Sequence, residues 1–283
     1  MSDEAFRREL IVQGDVASLI RFDHPHGAPL DDSEEEAGRR FQINVVERGW
    51  FRLGFRDTES TLGAGSVFLS RPGDVYRYGH IRALEPDVCL SLNFSAAFAD
   101  GVAEQLEGLP VSLPPTNRLA YLGLRLGRAE LAIDPMRVDE LATDFIDATS
   151  ETRVERRKPL APDRLRSYAQ RVDSARELID VRPEAPTSLP RLASAVGMST
   201  FSFARIFRDF VGLPPHAYLV RARLRRACEL LEGGMSVTDA CYACGFNNLS
   251  HFINTFRARC RVTPSAFRAM PRERQARVRR RLR

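Results

Sequence analysis

No apolar run in this 283-residue chain approaches the roughly 20 residues needed to span a bilayer, so a membrane-crossing helix is not expected. The opening stretch, MSDEAFRREL, is charged and lacks the apolar segment of a secretory signal. Cysteine is scarce and odd in number, with residues at 89, 228, 241, 244 and 260. Without a secretory context that pattern favours free thiols in a reducing cytoplasm over a disulfide framework. Histidine is equally thin. His24 and His26 have metal-ligand chemistry, but no third histidine or carboxylate stands downstream at metal-site spacing, and a polar loop is the expected use. The single tryptophan, Trp50, suits core or rim packing better than ligand stacking. No catalytic constellation, metal or cofactor is expected.

What the chain does have is charge, unevenly spread. The net +5 conceals 16 basic against 27 acidic residues up to Glu155, and 26 against 10 from Arg156 onward. An acidic domain followed by a basic one fits this step, and the basic one carries the electrostatic footprint of a nucleic-acid binder.

Residues 41 to 95 alternate in short β-rich runs. FQINVVERGWFRLGFR suggests a hairpin turning at Glu47-Arg48-Gly49, and LGAGSVFLSRPGDVYRYG and CLSLNF suggest further strands. A small antiparallel barrel or sandwich follows. From Thr116 the period becomes helical: Leu119, Leu122, Leu126 and Ala129, then Val138, Leu141, Ala142, Phe145 and Ile146 after Pro135. These two helices suit packing on the barrel or against a partner subunit. The proline-flanked RRKPLAPDR, 156 to 164, reads as a linker.

The basic half repeats itself. GFNNLSHFINTFRARCRVTPSAF, 245 to 267, echoes VGMSTFSFARIFRDFVGLPPHAY forty-nine residues earlier, with Phe207/Phe256, Arg208/Arg257, Pro215/Pro264 and Tyr218/Phe267 in step. Val172, Ala175, Leu178 and Ile179 form a preceding apolar stripe. Ser188 and Ser199 are placed to cap two helices that end at Gly197 and Gly212; Ser236 and Gly245 repeat the arrangement. Each copy reads as a helix-turn-helix. The intervening helix, about 27 Å long, could hold two reading helices near the roughly 34 Å spacing of successive major-groove faces.

Residues 168 to 270 resemble the DNA-binding domain of the AraC/XylS family of bacterial transcription regulators. The matching residues are Leu192-Ala193, Val196-Gly197-Met198-Ser199, Arg205, Phe207, Gly212, Pro215, Tyr218, Arg223 and Ala227, then Gly245-Phe246, Ser250, Phe252, Phe256, Thr263-Pro264 and Phe267-Arg268. The stretch GSVFLSRPGDVYRYG is similar to the cupin-like domain that often precedes it. The resemblance implies a two-domain α+β chain. A cupin-like antiparallel β barrel with C-terminal helices (1–155) would bind an effector or dimerise. A linker (156–167), an all-α domain with two helix-turn-helix motifs (168–270) and a basic tail (271–283), read as unstructured, would follow. It also implies double-stranded DNA as partner, a small-molecule effector, activation through RNA polymerase, a homodimer, and a cytoplasmic, nucleoid-associated location.

Periodicity sorts the reading helices. Phe203, Ile206, Phe207 and Phe210 form one face of TFSFARIFRDFV; Phe201, Ser202, Ala204, Arg205 and Arg208 form the other. Arg205 best fits guanine O6/N7, Arg208 fits a phosphate better than a base, and Phe201 suits a thymine methyl or a covered linker. In LSHFINTFRARC, Phe252, Thr255 and Phe256 take core positions. Leu249, Ser250, Ile253 and Asn254 face outward, with Arg257 in step with Arg208. Leu249 and Ile253 would suit thymine methyls. Asn254 stands where the family usually has arginine, and pairs best with adenine. Arg223 is expected to tie the halves together. Cys241 and Cys244 read as core packing rather than a metal or redox pair. Trp50, Arg71, Tyr76, Arg77 and Tyr78 are candidates for an effector cavity. A metal enzyme with an accessory DNA-binding module, and control by a protein partner instead of a ligand, are the competing readings.

Overall fold

The structure, a computed structural model, describes residues 7–24, 34–80, 86–132, 134–151, 159–280 and 282. They divide into two compact units, Met1–Arg166 and Ser167–Arg283.

The first unit runs β1 (Arg7–Gln13), β2 (Ala17–Asp23), β3 (Glu34–Ala37), β4 (Gln42–Arg48), β5 (Trp50–Phe55), β6 (Thr58–Gly63), β7 (Val67–Ser70), β8 (Val75–His80), β9 (Val88–Phe94), α1 (Ala96–Leu106), β10 (Ser112–Leu113), α2 (Asn117–Ala132) and α3 (Pro135–Glu151). The strands form two antiparallel sheets, ordered β1-β2-β9-β4-β7-β10 and β3-β8-β5-β6. Alternation along the larger sheet builds two cores. Val45, Val67, Leu90 and Leu92 meet Leu122, Leu126, Leu141 and Phe145 of α2 and α3. Val46, Phe68 and Cys89 turn the other way, onto Phe51, Leu53, Leu62 and Tyr76 of the smaller sheet. β7 and β9 are buried along their whole length because each packs on a core at both faces.

The expected hairpin at Glu47-Arg48-Gly49 does not form. β4 pairs with β7 and β9 while β5 pairs with β6 and β8, so Gly49 carries the chain from one sheet to the other. Its φ of 77°, and a Cβ that would meet the Asp87 Cα at 2.5 Å, reserve this corner for glycine. The hairpin lies instead between β5 and β6. α3 is pinned by Asp139, a buried carboxylate that accepts from the backbone N–H groups of Asp15 (3.1 Å), Val16 (2.8 Å) and Ala17 (3.2 Å).

The remaining elements are α4 (Pro162–Val181), α5 (Leu189–Ala195), α6 (Thr200–Val211), α7 (Pro215–Glu232), α8 (Val237–Ala243), α9 (Leu249–Cys260), α10 (Pro264–Arg268) and α11 (Arg272–Arg280). Part of the expected linker is therefore helix, because α4 starts at Pro162, the favoured first-turn position for proline; 152–158 lie outside the described residues. Val172, Ala175 and Ile179 are buried, but Leu178 is exposed on α4. Residues 272–280, read as an unstructured tail, are helical.

Candidate nucleic-acid interface

The two motifs are built with the same local chemistry. Ser188 accepts from the Arg191 N–H and Ser199 from the Ser202 N–H, capping α5 and α6. Ser236 accepts from the Asp239 N–H at 3.1 Å and donates to its carboxylate at 2.6 Å, while Asn248 accepts from the His251 N–H at 2.8 Å. Each first helix stops at a glycine with positive φ, Gly197 at 65° and Gly245 at 81°.

Behind each reading helix stands an aromatic trio. Phe203, Phe207 and Tyr218 meet edge-on at 5.4 and 5.6 Å; Phe252, Phe256 and Phe267 do so at 5.8 and 5.6 Å. The trios orient both helices so that their polar faces stay open.

On α6, Phe201, Arg205 and Arg208 are exposed, Phe201 to 80%, with Ser202 and Ala204 half-buried. On α9, Ser250, Asn254 and Arg257 are exposed. Leu249 and Ile253 correct the sequence expectation: both are half-buried and pack against the second motif's core. They continue the stripe 249, 252, 253, 256, 260, whose spacing is that of one helix face. Thr255 is only half-buried. His251 went unnoticed in the sequence; it is exposed, its ring 6.1 Å from Phe246, and the 49-residue offset aligns it with Ser202.

Arg223 joins the motifs. From α7 its Nε donates to the Pro183 carbonyl at 2.8 Å and its Nη2 to Ala185 at 3.3 Å, in the loop leading to α5. Its guanidinium lies 5.9 Å from the Phe246 ring, and burial lowers its pKa. The same loop lies against Gly245, where a Cβ would meet the Glu184 carbonyl oxygen at 2.6 Å. Tyr218 anchors α7 to α4, donating to Asp180 at 2.7 Å and accepting from Arg176 at 3.1 Å; Arg225 reaches the same carboxylate at 2.7 Å. The 18-residue α7 is about 27 Å long.

The cysteines are free and buried. Cys228, Cys241, Cys244 and Cys260 share the second motif's core. Burial raises Cys241 and pushes Cys244 up to about 12, while Cys228 is raised first by its hydrogen bond with Cys260 and then by burial. Such thiols stay protonated and behave as small apolar groups. No cluster of three or more potential metal ligands occurs among the described residues. His24 pairs with Asp87 at 2.8 Å; His26 lies outside the described residues.

In the first unit, a cleft of about 960 Å³ opens between the β5–β6 hairpin and the segment after α1, lined among others by Phe41, Phe55, Arg56, Arg71, Asp74 and Val111. Of the candidate cavity residues only Arg71 lines it. Tyr76 is buried among Phe55 and Tyr78; its hydroxyl accepts from the Arg71 N–H and donates to Asp74, and burial pushes it up to about 12. Trp50 lies over Gly63, half exposed, and Arg77 donates to the Arg56 carbonyl at 3.1 Å.

Paired helix-turn-helix units, each presenting the polar face of its second helix, define a DNA-binding protein. A family model described as a helix-turn-helix domain matches residues 192–270. The HTH-type transcriptional activator RhaS of Shigella dysenteriae serotype 1 is 25% identical over 256 residues, which covers 85% of this chain and 89% of RhaS. The HTH-type transcriptional regulator MtrA of Neisseria gonorrhoeae is 31% identical over 88 residues, 31% of this chain and 29% of MtrA. A solved transcriptional regulator with an AraC-type DNA-binding domain, from Chromobacterium violaceum, is 33% identical across 36% of this chain and 95% of that one, with a TM-score of 0.34. Residues 192–270 thus match a helix-turn-helix domain, and the chain is similar to DNA-binding transcription regulators of the AraC type.

Proposed function

We propose that this regulator reads two successive major-groove segments, one with α6 and one with α9, under the control of a small molecule held by a cupin-like N-terminal domain. The Arg223 junction carries the reading. One side chain bonds the loop before the first motif while lying over Phe246 of the second, so the reading helices keep one separation and require one half-site spacing. Arg205 takes guanine at the first segment, with Arg208 on a phosphate and Phe201, Ser202 and Ala204 beside it. Asn254 takes adenine at the second, with Ser250 and Arg257 alongside; Leu249 and Ile253 contribute only the edges they leave open.

The cleft beside Phe55 and Arg71 is the effector site, because the space between the sheets is filled by Phe51, Phe68 and Tyr76. A homodimer, contact with RNA polymerase and a cytoplasmic location belong to this reading.

Selection of bound duplexes by the full-length protein tests it. A bipartite site with fixed spacing is the expected outcome; preferences that survive random spacing would sink it. Thermal-shift screening with metabolites, on wild type and on a cleft variant such as Val111→Glu, tests the effector site.

A further inference from the structure

α11 lies beyond residue 270, where the matched family segment ends. It is not a loose tail. Gln275 is buried and donates to the Phe267 carbonyl at 3.0 Å; Val278 and Leu282 enter the core that also holds Phe256, Cys260 and Phe267; Arg279 pairs with Glu232 of α7 at 3.4 Å. The spacing 275, 278, 282 is one helix face, so docking fixes which side chains point away. Those are Arg272, Arg274 and Arg277, all exposed and forming no ion pair among the described residues.

The charge around them is one-sided. From Ala240 onward the chain carries eleven arginines and a single carboxylate, Glu273. Arginines held together on a docked helix repel one another unless a polyanion faces them. The first two turns of the second reading helix carry no arginine or lysine, and expose Ser250, His251 and Asn254 instead.

We propose that α11 is a third DNA-contacting element, an arginine clamp on the phosphate backbone flanking the segment read by α9. This rests on the DNA-binding reading of the second motif. Because α11 shares that motif's core, its arginines arrive in register with α9. They bind phosphates as guanidinium forks, with no base read.

The test is the salt dependence of binding by the full-length chain to its selected duplex, followed by fluorescence anisotropy from about 50 to 200 mM salt. The triple variant R272A/R274A/R277A, whose changes leave Gln275, Val278 and Leu282 in place, should keep its melting temperature and its base preferences. Its slope of log K against log salt should fall in magnitude by about 2 to 3, near 0.9 for each lost phosphate contact. Glu273→Gln, which removes the one acidic group on this face, should strengthen binding at low salt, a gain that misfolding cannot imitate. An unchanged slope in the triple variant, or unchanged binding in Glu273→Gln, would overturn the clamp and leave α11 a structural cap. Failure of the wild-type protein to bind any duplex would instead overturn the DNA-binding reading, and the clamp with it.

Discussion

In the first motif a reading helix of 12 residues ends on Gly212 with φ 79°; in the second a helix of the same length ends on Arg261 with φ 64°. The caps, the left-handed stops and the aromatic trios recur at corresponding places. What differs lies on either side of that frame. Outward, Arg205 faces Asn254 across the alignment, and Ser202 faces His251. Inward, the second core is lined by thiols and closed by α11, while the first contains no cysteine in α5 or α6. A duplicated scaffold thus keeps the atoms that set helix orientation, and diverges where orientation is already secured.

The thiols offer the largest separation between the motifs. In an unfolded chain cysteine ionises near pH 8.5. In the folded chain Cys228, Cys241 and Cys244 are held up, Cys244 to about 12. Above pH 8.5 the folded state therefore binds more protons than the unfolded one, and stability falls as pH rises, by about 1.4 kcal/mol per pH unit for a thiol held as high as Cys244. Urea unfolding at pH 8 and pH 10 should show a loss of several kcal/mol, shared between these thiols and the buried Cys89 of the first unit, which burial also raises. In a Cys244→Ala variant the slope should fall in magnitude by about 1.4 kcal/mol per pH unit. An unaltered slope would locate the sensitivity elsewhere.

Next in size is the junction. Arg223→Ala leaves the Pro183 and Ala185 carbonyls without their donor and uncovers Phe246, a loss of about 2 to 3 kcal/mol in urea unfolding. Arg223→Lys should recover only part, since an ammonium lacks the planar fork that spans both carbonyls. In DNA binding, the alanine variant should still recognise a single half-site yet tolerate altered spacing between two. Equal spacing preference in variant and wild type would mean that the motifs are held together by something other than this side chain.

The outward faces predict smaller and local effects. Arg205→Ala should relax selection at one position of the first half-site, and Asn254→Ala at one position of the second, each by about 1 to 3 kcal/mol of discrimination. His251→Ala should perturb only the second half-site, whereas Leu249→Ala should act mainly through stability because its side chain belongs partly to the core. A Leu249→Ala variant with unchanged stability and altered base preference would restore it to the reading face.

How legible these features were depended on how local their causes are. Ser188, Ser199 and Ser236 announce helix starts because a cap needs only its own next three residues. The stripe through Phe203 and Phe207 is equally local. Leu249 was misread although the same arithmetic places it with Phe252 and Phe256. His251 becomes visible only when the two copies are aligned residue by residue. The crossing at Gly49 could not be read, because strand partners are chosen by distant residues, here in β7 and β9. α11 was hidden for a similar reason: a run dominated by arginine gives a weak apolar period, and its hold comes from Phe267 and Glu232. Arg223 was legible as a position but not as a bond, since its acceptors lie some forty residues away.

The smallest effect tests the comparison at its starting point. Arg261 occupies a backbone region that costs a side-chain-bearing residue about 1 kcal/mol, and its N–H nevertheless closes α9 on the Arg257 carbonyl. Arg261→Gly should relieve that cost. Glycine also gives the unfolded chain more freedom to lose, which offsets about 0.4 to 1 kcal/mol, so the net gain should be about 0.5 kcal/mol or less, read as a rise of about 1 to 2 degrees in melting temperature. Arg261→Asn, which tolerates the left-handed region better than most residues, should fall between the two. Both variants remove the same positive charge. If the gain tracks backbone tolerance, with glycine above asparagine above arginine, the second motif carries strain that the first has shed at Gly212. If both variants gain equally, relief of repulsion among the neighbouring arginines is the cause, and the two helix ends are equivalent in backbone energy.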